Sequence, residues 1–483
     1  MRDFLAKLVY KTHFALVVIY MVLMQPFNAH ADRSSPKIAV IGAGLAGLTT
    51  AYRLQQAGLN VSLYEAHNRV GGRVLTVNIN GHLAELGGQN ICDGGESHHI
   101  LTLIKELDLE IEEQKHILNL HYITKDQRIS IKKLFQTRDV TSLVLKLETL
   151  QKTAKNMQEV LEALFKSDDP LYWICSAMLH GYEGGPPEKL APYYCKTLFY
   201  LLTGGISAAH QSISDEEEHY YEQLLVKGGN GLIGEKIAKS LSSHLYLNHP
   251  LEKIAKNPQG SYQLTFQNGV KTTADILILA IPCGVYDNIS ISPEVIPVQR
   301  VEKIRSIPYG TAAKIALPVA ALNEDPGSFA DGKITAFRNR DNHVMNLYLI
   351  GEQGDFTAET IADRYRSGVS LIETIYQFDT SLKPKLAQNQ AFASYKEPVG
   401  YSWLNDPYIK GSYSYMEAGQ EELFTATTEV AGEKVKKLFS PIDNSLFFAG
   451  EHTSLLIDFN GTMEAAVESG DRTARLVQKQ LDL

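Results

Sequence analysis

Lys37-Ile-Ala-Val-Ile41-Gly42-Ala-Gly44-Leu-Ala-Gly47 carries a short apolar, β-branched stretch straight into three spaced glycines. Ile38 to Ile41 read as a strand buried in a parallel sheet, and Leu45 to Gln56 as a helix that Gly58 can end. Val61 and Leu63, with polar residues between them, read as the next strand, which closes on Glu65. This is a βαβ beginning of the dinucleotide-binding type. Gly42 allows the tight turn, Gly44 lets backbone approach a pyrophosphate, and Gly47 lets helix and strand pack closely. Leu45 and Ala46 open the helix whose N-terminus attracts phosphate charge. Glu65, 18 residues beyond Gly47, is spaced to accept ribose hydroxyls and to repel a 2′-phosphate. A glycine-rich turn can also join strand to helix with no ligand. The strand before it, the helix after it and the following acid together point to a nucleotide.

The 483 residues exceed one ordinary core and suggest two or three domains. Hydrophobic residues at 44% and charged residues at 21% describe a globular chain, and the net charge of −9 with no basic cluster argues against nucleic-acid binding. The first 31 residues have the form of an export signal: Arg2, Lys7 and Lys11, then the apolar run Phe14 to Met24, then Ala29-His30-Ala31. A retained membrane anchor is the competing reading, although the run is short for a hydrocarbon core of about 30 Å. The four cysteines, Cys92, Cys175, Cys195 and Cys283, show no metal-like or paired spacing and read as small buried hydrophobes; no metal site is expected.

From Ile100 to about Tyr221 the pattern is helical, with Leu143, Leu147, Leu150, Ala154, Met157, Leu161 and Leu164 at steps of three and four. Gly184-Gly-Pro-Pro187 interrupts it, and Asp215-Glu-Glu-Glu218 reads as a solvated helix start. Strand signals return at His244 to Leu251, Tyr262 to Phe266 and Asp275 to Ala280, with an Asn268-Gly269 hairpin turn between the last two. Ile307 to Val319 reads as a connector and strand. The expected fold is α/β: a dinucleotide-binding, Rossmann-like domain (32–99, 222–300 and 441–483), interrupted by a helical insert (100–221) and an α+β substrate domain (301–440).

Glu65-Ala66-His-Asn-Arg69-Val-Gly71-Gly72-Arg73 resembles the extended fingerprint of the flavin-containing amine oxidase superfamily, which includes monoamine, polyamine and L-amino-acid oxidases. Glu85-Leu-Gly87-Gly88-Gln89-Asn90 resembles that family's loop beside the flavin ring, and Val226-Lys-Gly228-Gly229-Asn-Gly-Leu232 its returning segment, followed by Leu251 near the adenine. Phe448-Ala-Gly450-Glu451-His-Thr with Gly461-Thr462-Met463-Glu464 resembles the flavin-side ending, where the glutamate binds the ribityl chain. The resemblance implies FAD held by Gly42, Gly44, Leu45, Ala46, Gly47, Glu65, Ala66, Gly72, Arg73, Gly87, Gly88, Gln89, Asn90, Leu251, Gly450, Glu451, Gly461, Thr462 and Met463. Ser412 stands where monoamine oxidases attach their flavin through cysteine, so non-covalent FAD is implied.

On spacing alone Lys314, in Tyr309-Gly-Thr-Ala-Ala-Lys314, reads as a surface-facing lysine. The resemblance instead implies a lysine that holds a water at the flavin and assists reaction with oxygen. Tyr413 reads either as a core aromatic or, by resemblance, as one wall of an aromatic cage whose opposite wall is Thr462 here. The implied reaction is hydride transfer from a small-molecule amine, at a CH–NH or CH–NH2 group, to the flavin. Imine hydrolysis follows, and O2 reoxidises the flavin to give H2O2. An L-amino-acid oxidase stays open, although Asn90 occupies the place of the arginine that holds the substrate carboxylate in many of those enzymes. A desaturase or protoporphyrinogen-oxidase-like flavoenzyme, and a protein keeping FAD for structure alone, also stay open.

Overall fold

The strand Ile38–Ile41 lies at the centre of a five-stranded, all-parallel sheet in the computed structural model of the chain. The structure describes residues 35–79, 81–92, 97–114, 121–123, 128–199, 201–202, 223–318, 328–330, 334–338, 340–341, 343–364 and 399–483. Lys37–Leu483 form one unit. The export signal and Asp215–Glu218 lie outside the described residues.

The sheet order is Leu245–Tyr246, Val61–Tyr64, Ile38–Ile41, Ile276–Leu279, Leu446–Phe448. Its central strand pairs Ile38 with Val61 on one side and with Ile276 on the other. Side chains alternate across the sheet. Ile38 and Val40 join Leu48, Leu54 and Val467 on one face, while Ala39 and Ile41 join Leu277, Leu279 and Phe266 on the other. This two-sided burial is why the strand reads as an unbroken apolar run rather than an alternating one. The helix Leu45–Gln56 covers the first face, and the last helix, Met463–Gln480, packs along it. Thr50 Oγ1 ties the two by donating to Ala46 O at 2.8 Å and Gly470 O at 3.3 Å.

A four-stranded sheet covers the other face: Lys271–Ala274, Tyr262–Phe266 and Leu251–Lys256 are antiparallel, and Ser290–Ile291 joins in parallel. Two strand readings are corrected here. The stretch His244 to Leu251 divides, its start entering the parallel sheet and its end beginning Leu251–Lys256. The Asn268-Gly269 turn joins Tyr262–Phe266 to Lys271–Ala274, and Ile276–Leu279 crosses to the parallel sheet. Asp275 marks the switch, accepting from Lys37 N at 2.9 Å.

The stretch read as helical contains helices at Val140–Thr153, Met157–Leu164 and Pro170–Glu183, with Asn156 and Asp169 as N-caps. Gly184, at φ 88°, ends the last of these. The stretch also contains strands at Ile111–Gln114, His121–Ile123 and Arg128–Ser130, which sequence periodicity misses. Ile111–Gln114 pairs with Gln223–Val226. The other two extend one end of a seven-stranded sheet in which Ala313–Pro318 and Val344–Leu349 are neighbours.

Candidate active site

The two glycine-rich ends of the chain meet in one cavity of about 490 Å³. Its lining includes Gly42, Gly44, Leu45, Ala46, Glu65, Ala66, Gly72 and Arg73 from the first motif region, and Gly87, Gly88, Gln89 and Asn90 from the loop after His82–Glu85. Leu251, Gly450, Glu451, Gly461, Thr462 and Met463 complete this set. Gly47 lies behind it in the helix, where a Cβ would stand 1.9 Å from Gly42 O. That contact is the helix–strand closeness the motif requires. Gly42 has φ 101°, and a Cβ there would meet Ala280 O at 2.5 Å.

Backbone forms the floor. Gly71 N donates to Ala43 O at 2.8 Å, which brings Gly72 onto Gly44. Glu65 sits behind this turn, and its carboxylate accepts from Ala43 N at 2.6 Å and His67 N at 2.8 Å. Burial raises the pKa of this acid, against the pull of those two donors, His67 and Arg69. The carboxylate therefore braces the glycine loop as well as facing the cavity.

At the other end Arg73 Nη1 meets Glu451 Oε1 at 3.1 Å, with Glu451 only 3% exposed and Arg73 opening onto the cavity. Ser414 donates to the same carboxylate from N at 3.2 Å and Oγ at 2.6 Å. Burial raises the Glu451 pKa, but Arg73, His452 and Ser414 outweigh it and hold the acid below its ordinary value. Burial pushes neighbouring His452 down to about 4, so its ring is neutral at pH 7.

Lys314 is buried rather than surface-facing. Its Nζ donates to Gly87 O at 2.9 Å, Gln89 Oε1 at 3.1 Å and Glu85 O at 3.4 Å. Burial lowers its pKa to about 8, with Glu85 opposing. Glu85 in turn accepts from Arg340 at 2.6 Å, Asn230 N at 2.9 Å and Thr76 Oγ1 at 2.8 Å. Arg340 also pairs with Glu112. Nothing local in the sequence marks Arg340.

Tyr413 OH lies 2.6 Å from both Gly181 O and Tyr182 O and shares its one proton between them. Tyr348 OH donates to the same Gly181 carbonyl at 3.0 Å. Both rings line the cavity, with Trp403. Tyr348 is the aromatic that sequence reasoning missed; it is the register partner of Lys314 across two antiparallel strands. Thr462 also lines the cavity, but its hydroxyl caps the last helix, accepting from Ala465 N at 3.2 Å. Among the described residues, His82, Asp341 and His343 are grouped closely enough to ligate a metal. The Nδ1 of each ring already meets Asp341, at 2.9 and 3.0 Å.

The cavity is glycine-floored, acid-braced and long enough to reach both ends of the chain, which fits an extended dinucleotide better than a compact ligand. A Cβ on Gly44 would touch nothing nearer than Gly72 Cα at 3.9 Å, so the floor there is left open for a ligand.

A profile of the flavin-containing amine oxidoreductases matches residues 45–478. The chain belongs to that family. This flavin-containing amine oxidoreductase is 26% identical over 494 aligned residues to an L-amino-acid oxidase of Demansia vestigiata, covering 94% of this chain and 89% of that one. It is 24% identical to a polyamine oxidase of Oryza sativa subsp. japonica, covering 92% and 89%. Its fold matches wild-type putrescine oxidase bound to putrescine with a TM-score of 0.65 at 18% identity, covering 91% of this chain and 98% of that one. The cyclohexylamine oxidase of Brevibacterium oxydans IH-35A matches at 0.68 and 16%, covering 93% and 100%. The oxidoreductase is thus an α/β flavoenzyme of the amine-oxidising kind.

Proposed function

We propose that this oxidoreductase holds FAD non-covalently along the cavity and oxidises a small-molecule amine, with O2 as electron acceptor and H2O2 as product. The observation carrying this reading is that one cavity gathers the Gly44–Gly72 floor, the Arg73–Glu451 pair, and Lys314 with Tyr413. The proposal assigns the nucleotide end to Gly42, Gly44, Glu65 and Leu251, and the flavin end to Arg73, the Gly87–Asn90 loop, Glu451, Thr462 and Met463. Non-covalent binding is supported by Ser412 in the cavity wall and by the absence of any cysteine among the described lining residues.

When bound, the flavin supplies a two-electron acceptor. The chain's own residues then have three tasks. Tyr413, Tyr348 and Trp403 give the cavity an aromatic side that disfavours an ammonium ion. This lessens the roughly 4 kcal/mol needed to deprotonate an amine of pKa near 10 at pH 7. Lys314 contributes a cation, protonated below about pH 8, that stabilises negative charge developing on oxygen. Half-buried Arg73, paired with buried Glu451, fixes the segment that carries Gly71 and Gly72 against Gly44.

α-Amino acids are the second reading, favoured by the kinship to the Demansia vestigiata oxidase. Export is also proposed, from the N-terminal pattern alone; an intact Met1 on the mature protein would end that part.

Purified protein supplied with FAD, then with monoamines, diamines, polyamines and L-amino acids, tests the function. Bleaching of the yellow colour without air and peroxide release in air are expected for one class. A yellow protein that no amine bleaches would leave FAD a structural role only.

A further inference from the structure

Two imidazoles converge on one carboxylate where the hairpin of Thr76–Ile79 and His82–Glu85 meets the turn before Val344–Leu349. His82 Nδ1 lies 2.9 Å from Asp341 Oδ2, and His343 Nδ1 lies 3.0 Å from Asp341 Oδ1. The rings are stacked, with centroids 4.3 Å apart and 27° between their planes. His343 N donates to Asp341 Oδ1 at 2.8 Å, which fixes the carboxylate on its turn. The side chains of His82, Asp341 and His343 are 37%, 26% and 44% exposed, so an ion in solvent reaches all three. Their ligand atoms lie within 4.8 Å of one another. Bonds of about 2.1 Å to a tetrahedral ion give edges of about 3.4 Å, so small rotations of these exposed rings close the site. Each imidazole can exchange its Nδ1 proton for a metal while the carboxylate supplies the anionic ligand. Adjacent Arg340 turns inward to Glu85 and Glu112, which neutralise its charge. His82 and Asp341 are 259 residues apart, so no local spacing marks the group.

We propose that His82, Asp341 and His343 bind one divalent transition-metal ion, with solvent completing its coordination. Two imidazoles and a single carboxylate suit zinc or nickel and are too poor in oxygen for calcium or magnesium. None of these three described residues lines the cavity, so the ion acts as a clasp and takes no part in the chemistry. It joins the hairpin that leads into the Gly87–Gln89 loop around Lys314 to the strand that carries Tyr348. Ile79, Ala84, Leu86 and Val344 already pack together between these two elements. The site stands independently of the amine-oxidising reading.

Untagged full-length protein, supplied with FAD and freed of metal by a chelator, is titrated calorimetrically with zinc chloride and with nickel chloride. One ion is expected per chain, with a rise in melting temperature. His82→Gln and His343→Gln should each weaken binding at least about tenfold and remove the melting shift. His244→Gln, whose ring meets Ser243 away from the cluster, should bind as the parent does. Diethylpyrocarbonate labelling needs no variant: zinc should protect His82 and His343 from modification and leave His244 reactive. Absence of saturable binding of either ion would overturn the proposal. So would parent-like affinity in both cluster variants, or equal labelling of His82 and His343 with and without zinc, each meaning an adventitious ion only.

Discussion

A Cβ placed on Gly72 would stand 2.9 Å from Gly44 Cα, so the two glycine motifs touch backbone to backbone. The converse contact is relaxed, since a Cβ on Gly44 would lie 3.9 Å from Gly72 Cα and φ at Gly44 is −71°. Gly44→Ala should therefore leave the apoprotein's stability within about 0.5 kcal/mol of the parent's. Its FAD affinity should fall at least tenfold, about 1.4 kcal/mol, because the methyl group takes ligand space. Apoprotein melting and FAD titration together check this; unchanged affinity would detach the loop from the phosphates.

Arg73→Met leaves Glu451 buried without its cation. Removing one partner of a fully buried ion pair costs about 3–5 kcal/mol. Because Arg73 is half-buried and Ser414 still donates to Glu451, a loss at or below the low end of that range is expected. Guanidinium unfolding of the apoprotein should show a loss of that order in the first transition. A loss below about 1 kcal/mol would mean that Ser414 alone satisfies the carboxylate.

Tyr348→Phe and Tyr413→Phe each remove one donor from Gly181 O, at about 0.5–1.5 kcal/mol apiece. The double variant should cost at least about 0.5 kcal/mol more than the sum, because only then is the carbonyl left without either hydroxyl. Strict additivity in a double-mutant cycle would show that the two hydroxyls do not share that acceptor.

Lys314 is a cation below about pH 8 and neutral above it. The reaction of reduced, FAD-loaded protein with oxygen should accordingly slow as pH rises through about 8. Lys314→Met should remain yellow, react about 10- to 100-fold more slowly at pH 7, and lose the pH dependence. Stopped-flow reoxidation measures both. Parent-like rates in the variant would remove Lys314 from the oxygen step.

Local order was the part most legible in the sequence. Ile38 to Gly47 announced strand, turn and helix because each demand there is met by neighbours: β-branched residues on two buried faces, then glycines where backbone must bend or approach. Long-range pairing was far less legible. Lys314 looks surface-facing by alternation, and only its pairing with Val344–Leu349 and with the Glu85–Gln89 loop encloses it. Tyr348 escaped notice for the same reason: its strand, Val-Met-Asn-Leu-Tyr-Leu, is buried with no period that marks one side chain as functional. Glu65 is spaced in the sequence as an acid for a ribose, yet its two backbone bonds to Ala43 and His67 follow from a turn geometry that spacing does not encode.

The strand Ile276–Leu279 lies between Ile38–Ile41 and Leu446–Phe448, so neighbours in the sheet come from opposite extremes of the polypeptide. A chain emerging from the ribosome cannot complete this sheet until almost all of it has been synthesised. Its early strands must wait through that interval with one edge unpaired, exposed to chaperones and to aggregation. Loss of even the last few dozen residues would therefore harm maturation far more than a surface truncation of equal length.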